Sequence, residues 1–377
     1  MRTLPLVAVL ILGLCLSACL PFLFAGDTKT FGPDPQLYRT TVGRAIEFLA
    51  KHQSQDGSLS AQIGIGPTAI ATLGLLRSGR SPADPQIAKS LKYLEEYVQE
   101  NGGIYTPGGR ISTYETCIVM VCFQEANRDH RFDKPIRAAE KFIRSGQWEE
   151  KRGKEKSDAA YGGMGYGAKS NPDLSNTAFL IDALNACDAA PDDEAIQRAL
   201  VFVSRCQNLE GEHNTTPNAA KVNDGGFYYN PTLSKQDEDR QTAEGGLRSY
   251  GSMTYSGLKS MIYAGLTKDD PRVKAAVKWI QKNYDVKSNP GLGAAGLFYY
   301  YLTFAKTFDA LGLDEIEDAK GVKHDWRREL TEELARRQKE NGSWVNTNDR
   351  WMEGDANLAT AFGLLALSYC KPHSAKP

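Results

Sequence analysis

The stretch Leu330–Cys370, which reads LTEELARRQKENGSWVNTNDRWMEGDANLATAFGLLALSYC, indicates the fold more clearly than any other part of the chain. It begins with a short helical pattern at Leu330–Gln338, which runs into a glycine turn with an aromatic residue at Asn341–Trp344. After a polar connector, a second and much more apolar helical pattern covers Leu358–Tyr369. One helical hairpin of this kind cannot bury both of its faces, so a repeated hairpin predicts stacking against copies of itself.

The same unit recurs along the chain, and we count six helix pairs. The first helices of the pairs are predicted at Ala45–His52, Ser90–Gln99, Ala139–Trp148, Ala199–Gln207, Ala276–Tyr284 and Leu330–Gln338. The second, more apolar helices are predicted at Pro67–Leu76, Thr113–Glu125, Asp173–Cys187, Tyr255–Leu266, Ala294–Leu311 and Asp355–Tyr369. Six units favour one repeat domain over two separate domains. We place it at residues 41–371, after a linker at 27–40 and before a tail at 372–377.

Composition excludes some functions and leaves others open. The net charge of −1 gives no electrostatic case for nucleic-acid binding. The five histidines show no ligand spacing, so we expect no metal, and no motif calls for a cofactor. Beyond the N-terminus, the cysteines fall on helical patterns among apolar neighbours, which favours buried thiols, although a Cys187–Cys206 bridge stays open. The sequence does not indicate an oligomeric state.

The N-terminal segment 1–26 is predicted to be a signal peptide. Arg2 is its only charged residue, Leu6–Leu16 is apolar, and the tetrapeptide LSAC that ends at Cys19 matches the pattern processed in bacterial lipoproteins. In that pattern Cys19 is lipidated. The alternatives are a plain cleaved signal and an uncleaved anchor, since Thr3–Gly26 carries no charge and is long enough to span a membrane. Each alternative places the domain outside the cytoplasm, and two of them attach it to the membrane.

Glycine turns preceded by glutamine follow several of the first helices. The turns at Gln53–Leu59, Gln207–His213 and Gln338–Trp344 share the form Gln-x3-Gly-x-Trp or a degenerate version of it. The glycine can adopt the left-handed conformation that ends a helix. The glutamine can hydrogen-bond backbone groups left unpaired at the same turn, and the tryptophan can cover the outside of the core.

These turns on a repeating helical pair resemble the "QW" repeats of squalene–hopene cyclases, a unit that also occurs in protein prenyltransferase β-subunits. The resemblance covers Thr41–Cys370. It implies an all-α fold, the α/α toroid, in which six outer helices surround six inner ones and a central cavity. Periodicity alone predicts only helical repeats, and an open solenoid would fit it equally well.

The resemblance makes the second helices the inner ring, and polar residues at their N-terminal ends would then surround the cavity mouth. The alternative interpretation is ordinary helix capping, above all for Asp173 and Asp355. Long loops at Trp148–Asn171 and Gln207–Tyr250 are expected to lie around one opening as partial lids. On this interpretation the predicted cavity-lining residues are Glu115, Asn176, Thr254, Tyr299, Tyr300, Asp355 and Asn357.

The heptapeptide Pro172–Ala178 is similar to the Pro-Asp-x-Asp-Asp-Thr-Ala stretch of squalene–hopene cyclases, in which the middle aspartate protonates the polyene. Here that position is Ser175, and the next is Asn176. A serine hydroxyl is too weak an acid to protonate an alkene. The resemblance therefore implies that the usual catalytic acid is absent, and Asp173 would have to take its role. The Asp-x-Cys and histidine zinc ligands of the prenyltransferases are also absent from the matching positions.

Two further residues are candidates for a catalytic role. Lys259 lies four residues after Tyr255 on the same predicted helix face, and a lysine on an inner helix requires a partner such as Asp173, Asp182 or Asp355. The segment Leu297–Lys306 contains five aromatic residues, some of which should line the cavity. Aromatic linings suit isoprenoid chains and carbocations, but they also suit sugars and plain core packing.

The sequence leaves three functions open. The first is a relative of the cyclases and prenyltransferases that binds an isoprenoid or another apolar ligand. The second is a non-catalytic scaffold for a protein or polysaccharide partner. The third is a divergent cyclase or transferase that uses Asp173, Tyr255 or Lys259 in new roles.

Overall fold

The computed structural model describes residues 30–167, 169–231 and 241–374. The predicted signal peptide with Cys19, residues 232–240 of the predicted loop Gln207–Tyr250 and the last three residues lie outside the described residues. The described helices are α1 (Pro35–His52), α2 (Gly66–Arg77), α3 (Pro85–Glu95), α4 (Ser112–Ala126), α5 (Asp133–Gly146), α6 (Leu174–Ala186), α7 (Glu194–Arg205), α8 (Ala219–Val222), α9 (Gly251–Tyr263), α10 (Pro271–Lys282), α11 (Leu297–Ala310), α12 (Trp326–Arg337) and α13 (Ala356–Leu367).

Twelve of these helices form two concentric rings. The inner ring consists of α2, α4, α6, α9, α11 and α13, each of which contacts the next, and α13 contacts α2 so that the ring closes. The other long helices lie outside it and pack against the inner helices. The predicted α/α toroid of six helical hairpins is therefore confirmed, and the open solenoid is excluded.

Burial separates the two rings, as the apolar patterns predict. In α2, eleven of twelve residues are buried, whereas in the outer helix α5 only three of fourteen are buried. Inner helices are thus covered on all sides, while outer helices present one face to solvent. All five described cysteines are free thiols, so the Cys187–Cys206 bridge does not form. Within the described ranges, no helix has the length and apolar character needed to cross a membrane.

Short strands join the two ends of the described chain. Strand β1 (Thr30–Phe31) pairs antiparallel with β4 (His373–Ser374), while β2 (Ile316–Glu317) pairs with β3 (Lys323–His324). Helix α1 begins at Pro35, inside the predicted linker, because Asp34 caps it and proline is favoured at the first helical position. The ordered fold therefore extends beyond the predicted boundaries of 41 and 371 at both ends.

The glutamine turns connect neighbouring repeats. The Gln338 side-chain amide donates to the carbonyl of Gly342 in its own turn (2.9 Å) and to the carbonyl of Thr41 in α1 (2.9 Å). Gly342 has φ +88°, and a Cβ there would collide with the Arg44 backbone. The Trp344 side chain is fully buried. Gln53, Gln147 and Gln207 donate in the same twofold way to their own turn and to the next outer helix.

Candidate functional site

The two ends of the toroid carry two different cavities. Every inner helix follows an outer helix in the same order, so the six inner helices run in one direction and their N-termini meet at one end. The cavity at that end, which we call the aromatic cavity, has a volume of about 330 Å³. Its lining consists of Ile63, Gly66, Pro67, Ile111, Tyr114, Tyr166, Ser175, Phe179, Tyr229, Tyr250, Ser252, Met253, Tyr299, Trp351, Met352, Glu353, Leu358 and Phe362.

Four aromatic rings on four inner helices form a continuous belt around this cavity. Tyr114 of α4 meets Phe179 of α6 edge to face, with the ring centroids 5.2 Å apart. Phe179 lies 6.1 Å from Tyr299 of α11, and Tyr299 lies 6.0 Å from Phe362 of α13. Such spacings are favourable for aromatic pairs. The belt gives the cavity an apolar wall, and of its four members only Tyr299 was predicted from the sequence.

The two long loops each contribute one tyrosine to the aromatic cavity, Tyr166 and Tyr229. Their phenol groups hydrogen-bond to each other, and Tyr229 also hydrogen-bonds Asp173. This arrangement agrees with the expectation that both loops lie around one opening. It also places two hydroxyl groups between the cavity and a buried carboxyl group.

Asp173 lies behind these tyrosines and does not line the cavity. Its carboxylate caps α6 by accepting from the Asn176 backbone amide (2.8 Å), and it also accepts from the Asn176 side chain (2.7 Å). Burial raises the pKa of Asp173 to about 7, although the hydrogen bonds from Asn176 and Tyr229 act in the opposite direction. Asp173 is thus a helix cap whose carboxyl group titrates close to neutral pH.

Two hydroxyl groups meet at the cavity wall. Ser175 occupies the position at which the resemblance places the catalytic aspartate, and its hydroxyl lies 2.8 Å from that of Tyr299. Glu353 also borders the cavity, but it accepts from the backbone amides of Phe298 (3.1 Å) and Tyr299 (2.8 Å) and thereby caps α11. Burial raises the pKa of Glu353. The polar groups that the wall offers are therefore hydroxyls, because the Glu353 carboxylate is already hydrogen-bonded to backbone amides.

Tyr255 and Tyr300 lie in the core, away from the aromatic cavity, which corrects the prediction that Tyr300 lines it. The Tyr255 ring packs against Tyr300 (5.6 Å), Phe304 (5.1 Å) and Phe308 (5.5 Å). The Tyr300 hydroxyl donates to the Asp285 carbonyl (2.6 Å). The aromatic run of α11 is thus divided, with Tyr299 facing the cavity and its neighbours packed against α9 and the outer ring.

The other predicted lining residues hold loops and helix ends. Glu115 accepts from the backbone amides of Ile65 and Thr106, both at 2.9 Å. Thr254 accepts from the Phe227 amide (3.0 Å) and donates to the Tyr250 carbonyl (2.9 Å). Glu115 thus joins α4 to its preceding loop and to the start of α2, and Thr254 joins α9 to its preceding loop. Neither side chain lines the aromatic cavity.

Asp355 and Asn357 bind the same serine from the first repeat. Asp355 caps α13 by accepting from the Leu358 amide (2.9 Å), and it accepts from the Ser60 hydroxyl (2.8 Å). Asn357 donates to that hydroxyl as well (2.9 Å). Together with Asn176, which binds Asp173, they correct the prediction of a polar ring that lines the cavity. Asp173 and Asp355 cap helices, as the alternative interpretation held, and Asn357 attaches the loop of the first repeat.

The cavity at the opposite end, which we call the charged basin, has a volume of about 570 Å³. Its floor is Asp182, whose two carboxylate oxygens accept one hydrogen bond each from Lys259 and Lys306. Burial lowers the pKa of Lys259, and the nearby ammonium of Lys306 lowers it further, against the attraction of Asp182. The lining is Leu76, Arg77, Gly79, Val121, Glu125, Arg128, Asp182, Asn185, Ala186, Tyr263, Lys306, Asp309, Ser368, Tyr369 and Lys371.

The three candidate catalytic residues are therefore not brought together. Asp173 lies near the aromatic cavity, Lys259 lies beneath the charged basin, and Tyr255 lies in the core between α9 and α11. Among the described residues, no group of three His, Cys, Asp or Glu side chains is placed to hold a metal ion.

Comparison with known proteins confirms the predicted resemblance. Residues 68–234 match the family model of the squalene-hopene cyclase C-terminal domain. That range begins in α2 and includes Ser175 and Phe179. No curated protein is similar enough in sequence to be matched to the whole chain or to a part of it.

Solved structures with a similar fold carry several activities. The type II terpene cyclase MstE from Scytonema, in its apo form, is 11% identical over 89% of this chain and 98% of that chain, with a TM-score of 0.52. Another structure of MstE contains geranylgeranyl dihydroxybenzoate as substrate (11% identical, 89% and 97% covered, TM-score 0.51). A D-mannose isomerase has a TM-score of 0.56 at 11% identity, with 89% and 97% covered. At this identity the fold alone is shared, so function has to be argued from the residues of each site.

Proposed function

We propose that this chain binds an isoprenoid or another apolar ligand in the aromatic cavity. The observation that carries the proposal is the belt formed by Tyr114, Phe179, Tyr299 and Phe362 around a cavity of about 330 Å³. Small-molecule sites are usually concave and mostly apolar, and they contain a few placed polar groups. A polyprenyl chain offers the apolar surface that such a wall would bury, and burial of apolar surface is the main favourable term in binding of this kind.

The polar groups of the cavity suggest which end of the ligand is recognised. The Ser175 and Tyr299 hydroxyls lie together on one wall, and the Tyr166 and Tyr229 hydroxyls lie at the long loops. Hydroxyl groups can donate to or accept from an alcohol, a carbonyl or a quinone oxygen. We therefore propose a neutral apolar ligand with one oxygen-bearing end.

We propose that the cyclases' catalytic acid is not retained, so that the cavity binds rather than cyclises. Ser175 stands at the wall where the resemblance places the middle aspartate, and its hydroxyl is too weak an acid for an alkene. Asp173 is separated from the cavity by tyrosines, which are themselves weak acids. Lys259 and Tyr255 do not line this cavity. These placements weigh against a divergent cyclase or transferase.

The scaffold alternative would be favoured by a toroid plugged with aromatic side chains. Tyr300 and Tyr301 are instead packed in the core, and Tyr299 lies on the cavity wall. We also propose that residues 1–26 direct the domain out of the cytoplasm and attach it to a membrane through Cys19. A membrane surface concentrates apolar molecules, which suits a protein that binds one.

The first test combines extraction with a binding assay. Protein purified from its native membrane is extracted with organic solvent, and the extract is analysed by mass spectrometry for a stoichiometric polyprenyl compound. Farnesol is then titrated into the delipidated protein and into two matched variants, Ser175→Phe and Ser368→Phe. The first variant places a ring in the aromatic cavity, and the second places the same ring in the charged basin at the other end.

We expect Ser175→Phe to weaken farnesol binding by about tenfold or more, because the new ring occupies ligand space, an effect equal to about 1.4 kcal/mol. Ser368→Phe should bind farnesol as the original protein does. An extract with bulk phospholipid only, together with no farnesol binding, would exclude the ligand-binding function and leave the toroid as a scaffold.

A further inference from the structure

The charged basin is built differently from the aromatic cavity and has no role in the function proposed above. Its floor is a buried cluster of three charges, in which Lys259 and Lys306 share Asp182. The Lys259 side chain is 3% exposed and that of Asp182 is 8% exposed, whereas Lys306 reaches the basin with 16% of its side chain exposed. When both lysines are protonated, two ammonium groups share one buried carboxylate, and one positive charge has no counter-charge in the cluster.

Burying an uncompensated charge is costly, because the ion loses its hydration and gains no equal partner. The negative ends of the six inner helices point toward this side and offset part of the cost. These helix ends attract every cation of the basin, so they do not explain why two lysines bind one carboxylate. A negatively charged group in the basin would complete the cluster.

The wider basin has the same surplus. Four cations and three carboxylates line it, so the formal excess is one positive charge; these groups are Arg77, Arg128, Lys306 and Lys371 against Glu125, Asp182 and Asp309. Asp309 also lies 3.9 Å from Arg327, which is not among the residues lining the basin. A phosphate monoester carries about −1.5 to −2 charges near neutral pH. Its charge is opposite in sign to the excess and at least as large.

Donors are present around the space that such an anion would occupy. The Arg128 guanidinium is exposed and makes no hydrogen bond or ion pair within the part of the chain that the structure describes. Tyr263 and Tyr369 also line the basin, and the Tyr369 hydroxyl accepts a hydrogen bond from the Arg77 guanidinium. Lysine, arginine and tyrosine donors around a concave space are typical of sites for phosphate groups.

We propose that the charged basin is a second ligand site, which binds a phosphate group through Lys306 and Arg128 at the opposite end of the toroid from the aromatic cavity. The phosphate would come from a soluble phosphate ester or from a lipid headgroup, and both sources present the same chemistry to the basin. The site is separate from the aromatic cavity, since no residue lines both.

The test uses isothermal titration calorimetry on the full chain at low ionic strength. Inorganic phosphate and glycerol phosphate represent the soluble source. Phosphatidylcholine vesicles with and without phosphatidic acid represent the headgroup. We expect binding of the soluble phosphates, of the phosphatidic-acid vesicles, or of both, and the pattern identifies the source.

Lys306→Met should weaken phosphate binding by about tenfold or more, because a charge-assisted hydrogen bond is lost. It leaves Lys259 and Asp182 as a one-to-one pair, so the fold should be kept. Lys278→Met, on the exposed face of the outer helix α10, removes the same charge elsewhere and should bind phosphate as the original protein does. If Lys306→Met does not fold, Arg128→Gln changes only an exposed side chain and should weaken binding about threefold.

The paired phenylalanine variants separate the two sites. Ser368→Phe should block phosphate and spare farnesol, and Ser175→Phe should do the reverse. The proposal is overturned if no phosphate source binds, or if Lys306→Met and Arg128→Gln both bind phosphate as the original protein does. In that case the cations only stabilise the C-termini of the inner helices.

Discussion

The two ends of the toroid differ in how they treat charge. At the N-terminal end of the inner ring, the carboxylates of Asp173, Glu353 and Asp355 accept hydrogen bonds from backbone amides. At the C-terminal end, Lys306 binds a carboxylate and Lys371 donates to the Arg77 carbonyl (2.9 Å). Because the six inner helices run in one direction, their N-termini attract negative groups at one end and their C-termini attract positive groups at the other.

This difference explains the two cavities. The carboxylates at the N-terminal end cap helices, and the rest of the cavity wall is mainly aromatic. At the C-terminal end the cations exceed the carboxylates, and the space between them stays polar. The direction of the helices thus separates two kinds of cavity lining, aromatic at one end of the ring and charged at the other.

The strongest test of this comparison removes the carboxylate that holds the basin together. Asp182→Asn leaves two ammonium groups without their shared counter-charge, and it should lower the free energy of unfolding by about 3–5 kcal/mol in urea denaturation. The matched control is Asp355→Asn at the other end. Asparagine is also a good N-cap, so the control should cost less than about 1 kcal/mol.

The double variant Asp182→Asn with Lys306→Met should recover part of the lost stability, because one of the two unpaired cations is removed. Equal costs for Asp182→Asn and Asp355→Asn would contradict the interpretation that the basin is an ionic cluster. Equal costs would mean that Asp182 contributes no more to stability than a helix-capping carboxylate does.

The next effect concerns pH and the N-terminal end. The folded-state pKa of Asp173 is about 7, above its ordinary value of 3.8, so the folded protein binds more protons than the unfolded chain between these values. Stability should therefore fall as pH rises through this range, by up to about 1.4 kcal/mol per pH unit. Asp173→Asn keeps a capping residue and should remove this fall when unfolding is measured across the range.

A control with the opposite sign is Asp270, which caps the outer helix α10. A hydrogen bond from the Arg272 side chain lowers the pKa of Asp270. Its contribution to stability is present above its ordinary pKa and is lost as pH falls through the lowered one. Asp270→Asn should therefore flatten the acid side of the profile. Parallel profiles for the original protein and Asp173→Asn would show that Asp173 ionises as an ordinary aspartate does.

The sequence predicted the repeats well because each repeat is a local pattern. The turn at Gln338–Trp344 and the apolar second helix lie within one stretch, and the structure uses both as expected. The second bond of Gln338, to Thr41, could not be predicted because its partner is 297 residues away in the sequence. The same holds for the basin, where Asp182 is 77 residues from Lys259 and 124 from Lys306.

The candidate site was predicted less well. The polar residues at the helix starts were assigned to the cavity, whereas the aromatic side chains one turn later line it. Phe179 lies four residues after Ser175, and Phe362 lies four residues after Leu358, so each pair shares a helix face. This spacing on an inner helix was the available signal. The polar residues themselves are capping groups, and sequence alone does not distinguish a cap from a cavity wall.

The smallest effect concerns a turn at the rim of the aromatic cavity. Trp351 and Met352 are neighbours with φ of +58° and +64°, and both line the cavity although they are 44% and 55% exposed. The left-handed region costs a non-glycine residue roughly 1–2 kcal/mol. Met352→Gly should therefore stabilise the protein by about 1 kcal/mol or less in urea denaturation, since glycine also loses more entropy on folding. It should weaken farnesol binding severalfold, because a lining side chain is lost.

Asp188→Gly, with φ +59° after α6 at the basin end, tests the same backbone change and should leave farnesol binding unaltered. If Met352→Gly also left it unaltered, the conformation of this turn would have no part in holding the ligand, and the rim would reduce to the aromatic belt and the two long loops.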